Sequence, residues 1–325
     1  MIIIIKNGYN TFSISIEKKH DRRDGMTHRN QKRWPGFVLV IIGSIFWGVG
    51  GTVSQWLFEN KQLPVTWFVG VRLLVSGLLL VIMSFFLEGK KTITIWADKK
   101  DTLKLFIYSL IGMLGVQYCF MATIHYGNAA VATLLQYLGP VIIILYLVAA
   151  KVIRFRWKEG IAVTLALSGT FFLLTNGSLA TLSVPMPAII WGVMSAFAMA
   201  FYTIFPVQLL AKWGTVNVVG WAMLIAGIFL NFLHPIWKVD TSNWDVKVIV
   251  YLFISVIIGT MFAFWLFISS LKFLFPQEAS VLGTIEPLTA ILLSVVWLGV
   301  SFGAWQVMGV ALIVLMVIFL AVVKD

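Results

Sequence analysis

Apolar residues gather along this chain in ten long stretches separated by short polar connections, roughly 36–58, 65–87, 105–124, 129–150, 160–175, 188–210, 216–237, 248–271, 279–299 and 302–323. About 20 apolar residues of helix span the ~30 Å hydrocarbon core of a bilayer, so the pattern predicts ten membrane-crossing helices. The fifth stretch is shortest, and residues 179–182 extend it past Asn176 and Gly177. Two charges fall inside the stretches, Arg72 in the second and Glu286 in the ninth. A charge at bilayer depth costs at least ~2.5–3.5 kcal/mol, which makes both candidate functional residues.

Composition agrees with an all-α integral membrane protein. Hydrophobic residues make up 60% of the 325 and charged residues 11%, against about 25% charged in soluble globular chains. The net charge of +11 is distributed by side. With ten crossings, twenty Lys and Arg fall on the side of the N-terminus and only Lys61, Lys238 and Lys247 on the other. By the positive-inside rule both termini are cytoplasmic, with the connections 176–187 and 238–247 outside. Basicity therefore reports orientation and attraction to membrane lipid, and calls for no nucleic-acid partner. Residues 1–34 read as a solvated basic tail, not a signal peptide, with Met26 as an alternative start. The lone Cys119 reads as a small packing residue, and His125 and His234 sit at span ends in interface or loop roles.

The chain also resembles itself. Shifting it by 147 residues pairs Gly112 with Gly259, Phe120 with Phe267, Ala132 with Ala279, Leu135 with Leu282 and Pro140 with Pro287. Ile144, Leu145 and Val148 then meet Ile291, Leu292 and Val295 without a gap. Near an offset of 150, Gly70 and Gly77 meet Gly220 and Gly227, and Ser44-Ile45-Phe46 meets Ser195-Ala196-Phe197. Two halves of five helices follow, 35–176 and 187–323. Because five is odd, the second half starts on the opposite side, and the halves are inverted about an axis in the membrane plane. Such repeats recur in secondary transporters, with the site near the midplane between halves.

With this repeat, the run Gly43-Ser-Ile-Phe-Trp-Gly-Val-Gly-Gly51 and the run Ile285-Glu-Pro-Leu-Thr-Ala290 resemble the drug/metabolite transporter superfamily, EamA type, over about residues 34–323. Many members carry Leu-Gly-Glu at the end of each half's fourth helix. Here those places read Ala149-Ala150-Lys151 and Leu298-Gly299-Val300, so no mechanism carries over through that glutamate. The resemblance implies a carrier of small metabolites, amino acids being frequent substrates.

Arg72 and Glu286 each lie about seven residues inside their spans, entered from opposite sides. At 1.5 Å rise each is ~10 Å deep, and the two are ~10 Å apart along the bilayer normal; helix tilt can narrow this gap, but a direct ion pair is not the default expectation. Both break the repeat: Arg72 matches Ala222, and Glu286 matches Gly139. Glu286 reads as a proton-coupling or cation-binding carboxylate, or as a brace for backbone freed by Pro287. Arg72 reads as a partner for substrate carboxylate, or as an arginine that fixes helix packing by snorkelling or by bonding loose carbonyls. Trp47, Gln117, Tyr118, Gln136, Tyr137, Tyr202 and Trp265 complete a candidate substrate pocket at similar depth. Gln136 and Tyr137 precede Gly139-Pro140 as Thr284 and Glu286 precede Pro287, where proline frees a carbonyl one turn back.

No phosphate-cradling Walker pattern, metal cluster or Ser/His/Asp set is present in the sequence, so neither ATP hydrolysis, nor an enzyme, nor a cofactor is expected. The expected protein is a multi-pass carrier of the cell membrane working by alternating access on small organic solutes. A proton gradient or the solute's own gradient drives it, and a monomer suffices. The rival reading is a flippase for a lipid or lipid-linked substrate.

Overall fold

The computed structural model describes residues 33–178, 180–242 and 244–322, and every regular element among them is a helix. The basic tail before Arg33, with the candidate start at Met26, lies outside the described residues. Eight long apolar helices follow in order: α1 Trp34–Lys61, α2 Val65–Glu88, α3 Lys99–Tyr126, α4 Ala129–Ala149, α5 Trp157–Thr175, α6 Met186–Ile204, α7 Thr215–Leu233 and α8 Val246–Ser270. The ninth stretch, α9, is two shorter helices, Pro276–Gly283 and Ile285–Val296. The last, α10, is Ala304–Val322. Nine helices among the described residues are thus long enough to cross a bilayer, where ten were expected.

The physical reason is Pro287. It has no N–H to give to the Gly283 carbonyl, and its ring disfavours helical backbone before it, so the helix breaks at Thr284. The freed carbonyl is not left bare: the Tyr137 hydroxyl donates to it at 2.9 Å. Helix α4 carries the matching interruption, its arms Ala129–Gln136 and Gly139–Ala149 meeting just before Pro140.

Two expected boundaries are corrected. The fifth span does not continue beyond Asn176, which adopts a left-handed conformation (φ 48°) and caps the helix; its length comes instead from an earlier start at Trp157. The sixth ends at Ile204 ahead of Pro206, and Val207–Trp213 forms a separate short helix.

Helices α2 and α7 run antiparallel, and their contacts are reciprocal. Gly77 lies against the backbone of Leu224 and Gly227 against that of Leu74; Gly70 meets Leu230 as Gly220 meets Leu80. A shift of 150 residues converts one member of each pair of contacts into the other. Helices α5 and α10 repeat the arrangement, Gly169 against Ile313 and Gly309 against Leu173. Small residues at such crossings let backbones approach, the main source of helix affinity where lipid removes the hydrophobic drive. Helix α1 packs on α8 and α9, and α6 packs on α3 and α4. The largest buried cluster joins Leu57, Phe58, Trp67, Leu73, Met121 and Met223 from α1, α2, α3 and α7.

Helices α3 and α8 each contain a π-helical segment, Tyr108–Met113 and Ile254–Phe262. These segments straddle Gly112 and Gly259, the two glycines that the self-comparison pairs. A π turn widens the helix and re-aims its carbonyls, a feature frequent at functional sites.

Candidate functional site

Arg72 points from α2 into the π segment of α8 and is 4% exposed. Its Nε donates to the Thr260 hydroxyl. One Nη donates to the Gly259 carbonyl at 3.4 Å, and the other lies 3.3 Å from the Met121 sulfur. Thr260 in turn donates to the Ser255 carbonyl, five residues back, at 2.9 Å. Ser76 donates to the Val256 carbonyl at 2.9 Å, and Ser54 bonds the Ser255 hydroxyl at 2.8 Å. Side chains of α1 and α2 therefore occupy the acceptors that the π segment presents.

Glu286 opens the second arm of α9, directly after the break. Its backbone carbonyl abuts α1 so closely that a Cβ on Gly48 would stand 2.8 Å from it. The side chain is half-buried and accepts no hydrogen bond among the described residues. Arg72 and Glu286 form no ion pair, in keeping with the ~10 Å axial offset expected from their depths. On α1 beside Gly48, the Trp47 ring lies 5.0 Å from both Phe264 and Phe267 of α8. Gln136 donates to the Ser195 hydroxyl at 2.8 Å and so ties the α4 break to α6. The two breaks thus face each other through Tyr137, with Glu286 and Trp47 beside them, while Arg72 is bound to the α8 π segment.

The other expected residues do not join this cluster. Tyr118 packs on Trp191 at 5.5 Å and lies 3.4 Å from the Thr66 hydroxyl, lining a cavity at the end of the bundle away from the N-terminus. Tyr202 stands beside Tyr108, rings 5.3 Å apart, two residues before α6 ends. Trp191 and Tyr202 are eleven residues apart on α6, ~16 Å along its axis, so Tyr118 and Tyr202 do not share a pocket. Gln117 is 6% exposed with no hydrogen bond among the described residues. Trp265 meets Phe262 at 6.1 Å.

Residues the pattern did not single out add two features. Glu59, Phe58, His125 and Trp191 line the cavity with Tyr118. At the opposite end, Lys212, in the α6–α7 connection, bonds Asp98 at 2.7 Å and Asp101 at 2.6 Å, and Trp213 donates to Asp101 at 2.8 Å. The hydrogen bond from Lys212 holds Asp98 at about 2, well below the usual carboxylate range, and the same cluster raises Lys212.

With this geometry in view, the EamA-like transporter family profile matches residues 34–175 and again residues 186–322. An uncharacterized inner membrane transporter of Salmonella typhimurium, YicL, is 37% identical over 292 residues, covering 88% of this chain and 95% of that protein. An uncharacterized transporter of Bacillus subtilis, YwfM, is 26% identical over 86% of this chain and 90% of its own. A solved crystal structure shares the fold with a TM-score of 0.59 at 14% identity, covering 89% of this chain and 97% of that one.

Proposed function

We propose, for a chain that belongs to the EamA-like transporter family, a secondary carrier of small organic metabolites such as amino acids, working by alternating access. Membership makes it a multi-pass membrane transporter. In this reading its place is the cell membrane, with both termini cytoplasmic, and its two halves, each of five helices, are inverted repeats. The reciprocal antiparallel contacts of α2 with α7 and of α5 with α10 support that symmetry, since a dyad relating antiparallel helices lies across their axes. Two such halves give inward- and outward-facing states of similar energy, which is what alternating access requires.

The observation that carries the mechanism is the Glu286 carboxylate. It sits at a broken helix, half-buried among helices and without a hydrogen-bond donor among the described residues. A carboxylate so placed is free to exchange a proton for a substrate contact, and the facing break at Tyr137 gives it a partner surface that both halves move. Arg72, anchored to the α8 π segment through Thr260 and Gly259, supplies a fixed positive charge to the same region.

Proteoliposomes carrying the full chain test this with a panel of amino acids, amines, nucleosides and organic acids. Wild type accumulates a solute against its gradient when a proton gradient is imposed. Glu286→Gln, which mimics the protonated group, loses that accumulation at least tenfold and keeps solute exchange. A proton-driven profile unchanged in Glu286→Gln overturns coupling at this residue and leaves Glu286 as a structural carboxylate.

A further inference from the structure

The cavity at the far end of the bundle holds about 650 Å³ between α1, α2, α3 and α6. That volume suits a small organic molecule. Its walls are rich in rings: His125 stands edge-on to Phe58 at 5.3 Å and to Tyr126 at 4.9 Å, and Tyr118 is edge-on to Trp191 at 5.5 Å. Among its lining residues there is one carboxylate, Glu59, and no Lys or Arg.

Glu59 is positioned rather than loose. One of its oxygens accepts from the Gln55 amide at 2.8 Å. The oxygen of that amide accepts from the backbone N–H of Ala129 at 2.9 Å, one of the donors that the start of α4 leaves unmatched. Gln55 is 1% exposed, so a buried amide locked to α4 holds the carboxylate at the cavity wall. The second carboxylate oxygen has no hydrogen bond among the described residues. A positioned anion in a cavity lined by aromatic rings is the chemistry that recognises an ammonium group, because a carboxylate pairs with the cation, aromatic rings attract it and their bulk takes an apolar body.

We propose that this outer cavity is a binding site for organic ammonium compounds, and that amines with an aromatic or apolar body are the solutes this carrier admits there. The proposal rests on the carrier reading for its biological meaning, yet the binding itself is testable without transport. Purified full-length protein in lipid nanodiscs is titrated with phenethylamine and with its acidic counterpart 3-phenylpropanoate, followed by calorimetry and tryptophan fluorescence. Phenethylamine is expected to bind at least tenfold more tightly than 3-phenylpropanoate. Glu59→Gln, which keeps an acceptor for Gln55, is expected to weaken it tenfold or more at an unchanged melting temperature. Trp191→Leu gives a second, independent loss should the first variant misfold. Equal binding of the two compounds, or full binding by Glu59→Gln, overturns the proposal. Glu59-dependent amine binding with no flux of any solute in proteoliposomes removes the carrier reading and leaves the site. Solute flux without Glu59-dependent amine binding removes the site and leaves the carrier reading.

Discussion

At the scale of single residues, the two charges inside apolar stretches announced themselves, and the structure gives them unlike surroundings. Arg72 donates to a hydroxyl and a carbonyl of the α8 π segment. Truncating it leaves those acceptors buried without a donor, at a cost of about 1–3 kcal/mol. Arg72→Ala is therefore expected to lower the melting temperature in detergent together with transport. Arg72→Lys should recover part of the loss, since a point charge cannot reproduce the guanidinium fork. Transport abolished in Arg72→Ala at wild-type melting temperature would instead make the arginine a substrate contact. Glu59 and Trp191 were not legible, because charged and aromatic residues are ordinary at span ends. What distinguishes Glu59 is Gln55 and the start of α4, whose residue Ala129 is 74 positions from Gln55 and is brought near only by the packing of α1 against the turn after α3.

At the scale of elements, proline and glycine were the readable signals. Pro140 and Pro287 marked the breaks of α4 and α9, and Gly70, Gly77, Gly220 and Gly227 marked the α2–α7 crossing. The π segments left no trace in the apolar pattern, because an added residue in a helix surrounded by apolar neighbours changes which side chain faces which partner without changing hydrophobicity. The fifth span was misjudged at both ends for a related reason: length was sought in the apolar run after Asn176, whereas the helix takes it from Trp157 and Lys158 at the polar boundary. Reciprocal contacts make a quantitative prediction at this scale. A Cβ at Gly77 or at Gly227 meets the partner backbone, so Gly77→Ala and Gly227→Ala should each destabilise the protein by about 1–3 kcal/mol, as overpacking does. The two losses should be nearly equal. Gly51→Ala, whose Cβ would meet Ala129 at an ordinary 3.7 Å, serves as the control with little loss. Unequal losses at Gly77 and Gly227, read by thermal unfolding in detergent, would mean that the crossing is not a symmetric one.

For the whole molecule, the two ends of the bundle are chemically different. The cavity with Glu59 opens at the end away from the N-terminus, while at the N-terminal end Lys212, Asp98 and Asp101 tie the α6–α7 connection to the start of α3. Lys212 and Asp98 are exposed, so their pair is weak, while Asp101 is buried beneath them and held also by Trp213. The titration of this cluster also lies outside the working range. Depressed to about 2, Asp98 contributes above its ordinary range and loses that contribution only as pH falls towards 2; Lys212, raised, loses its contribution only above its own ordinary range. Between about pH 5 and 9 the cluster keeps its charges, so a pH-dependent transport rate in that window has to arise elsewhere, and the comparison of wild type with Glu286→Gln is not confounded by it. By the positive-inside rule, the charge asymmetry of twenty Lys and Arg against three predicts that the N-terminal end faces the cytoplasm. With Lys99 in that end and Ser178 and Ser242 in the other, cysteines at Ser178 and Ser242 are expected to react with a membrane-impermeant thiol reagent in intact cells, and a cysteine at Lys99 only after the membrane is opened. Labelling of Lys99→Cys in intact cells with protection of the other two would turn the whole bundle over, placing the Glu59 cavity on the cytoplasmic side and making it an entry for export instead of a vestibule facing the exterior.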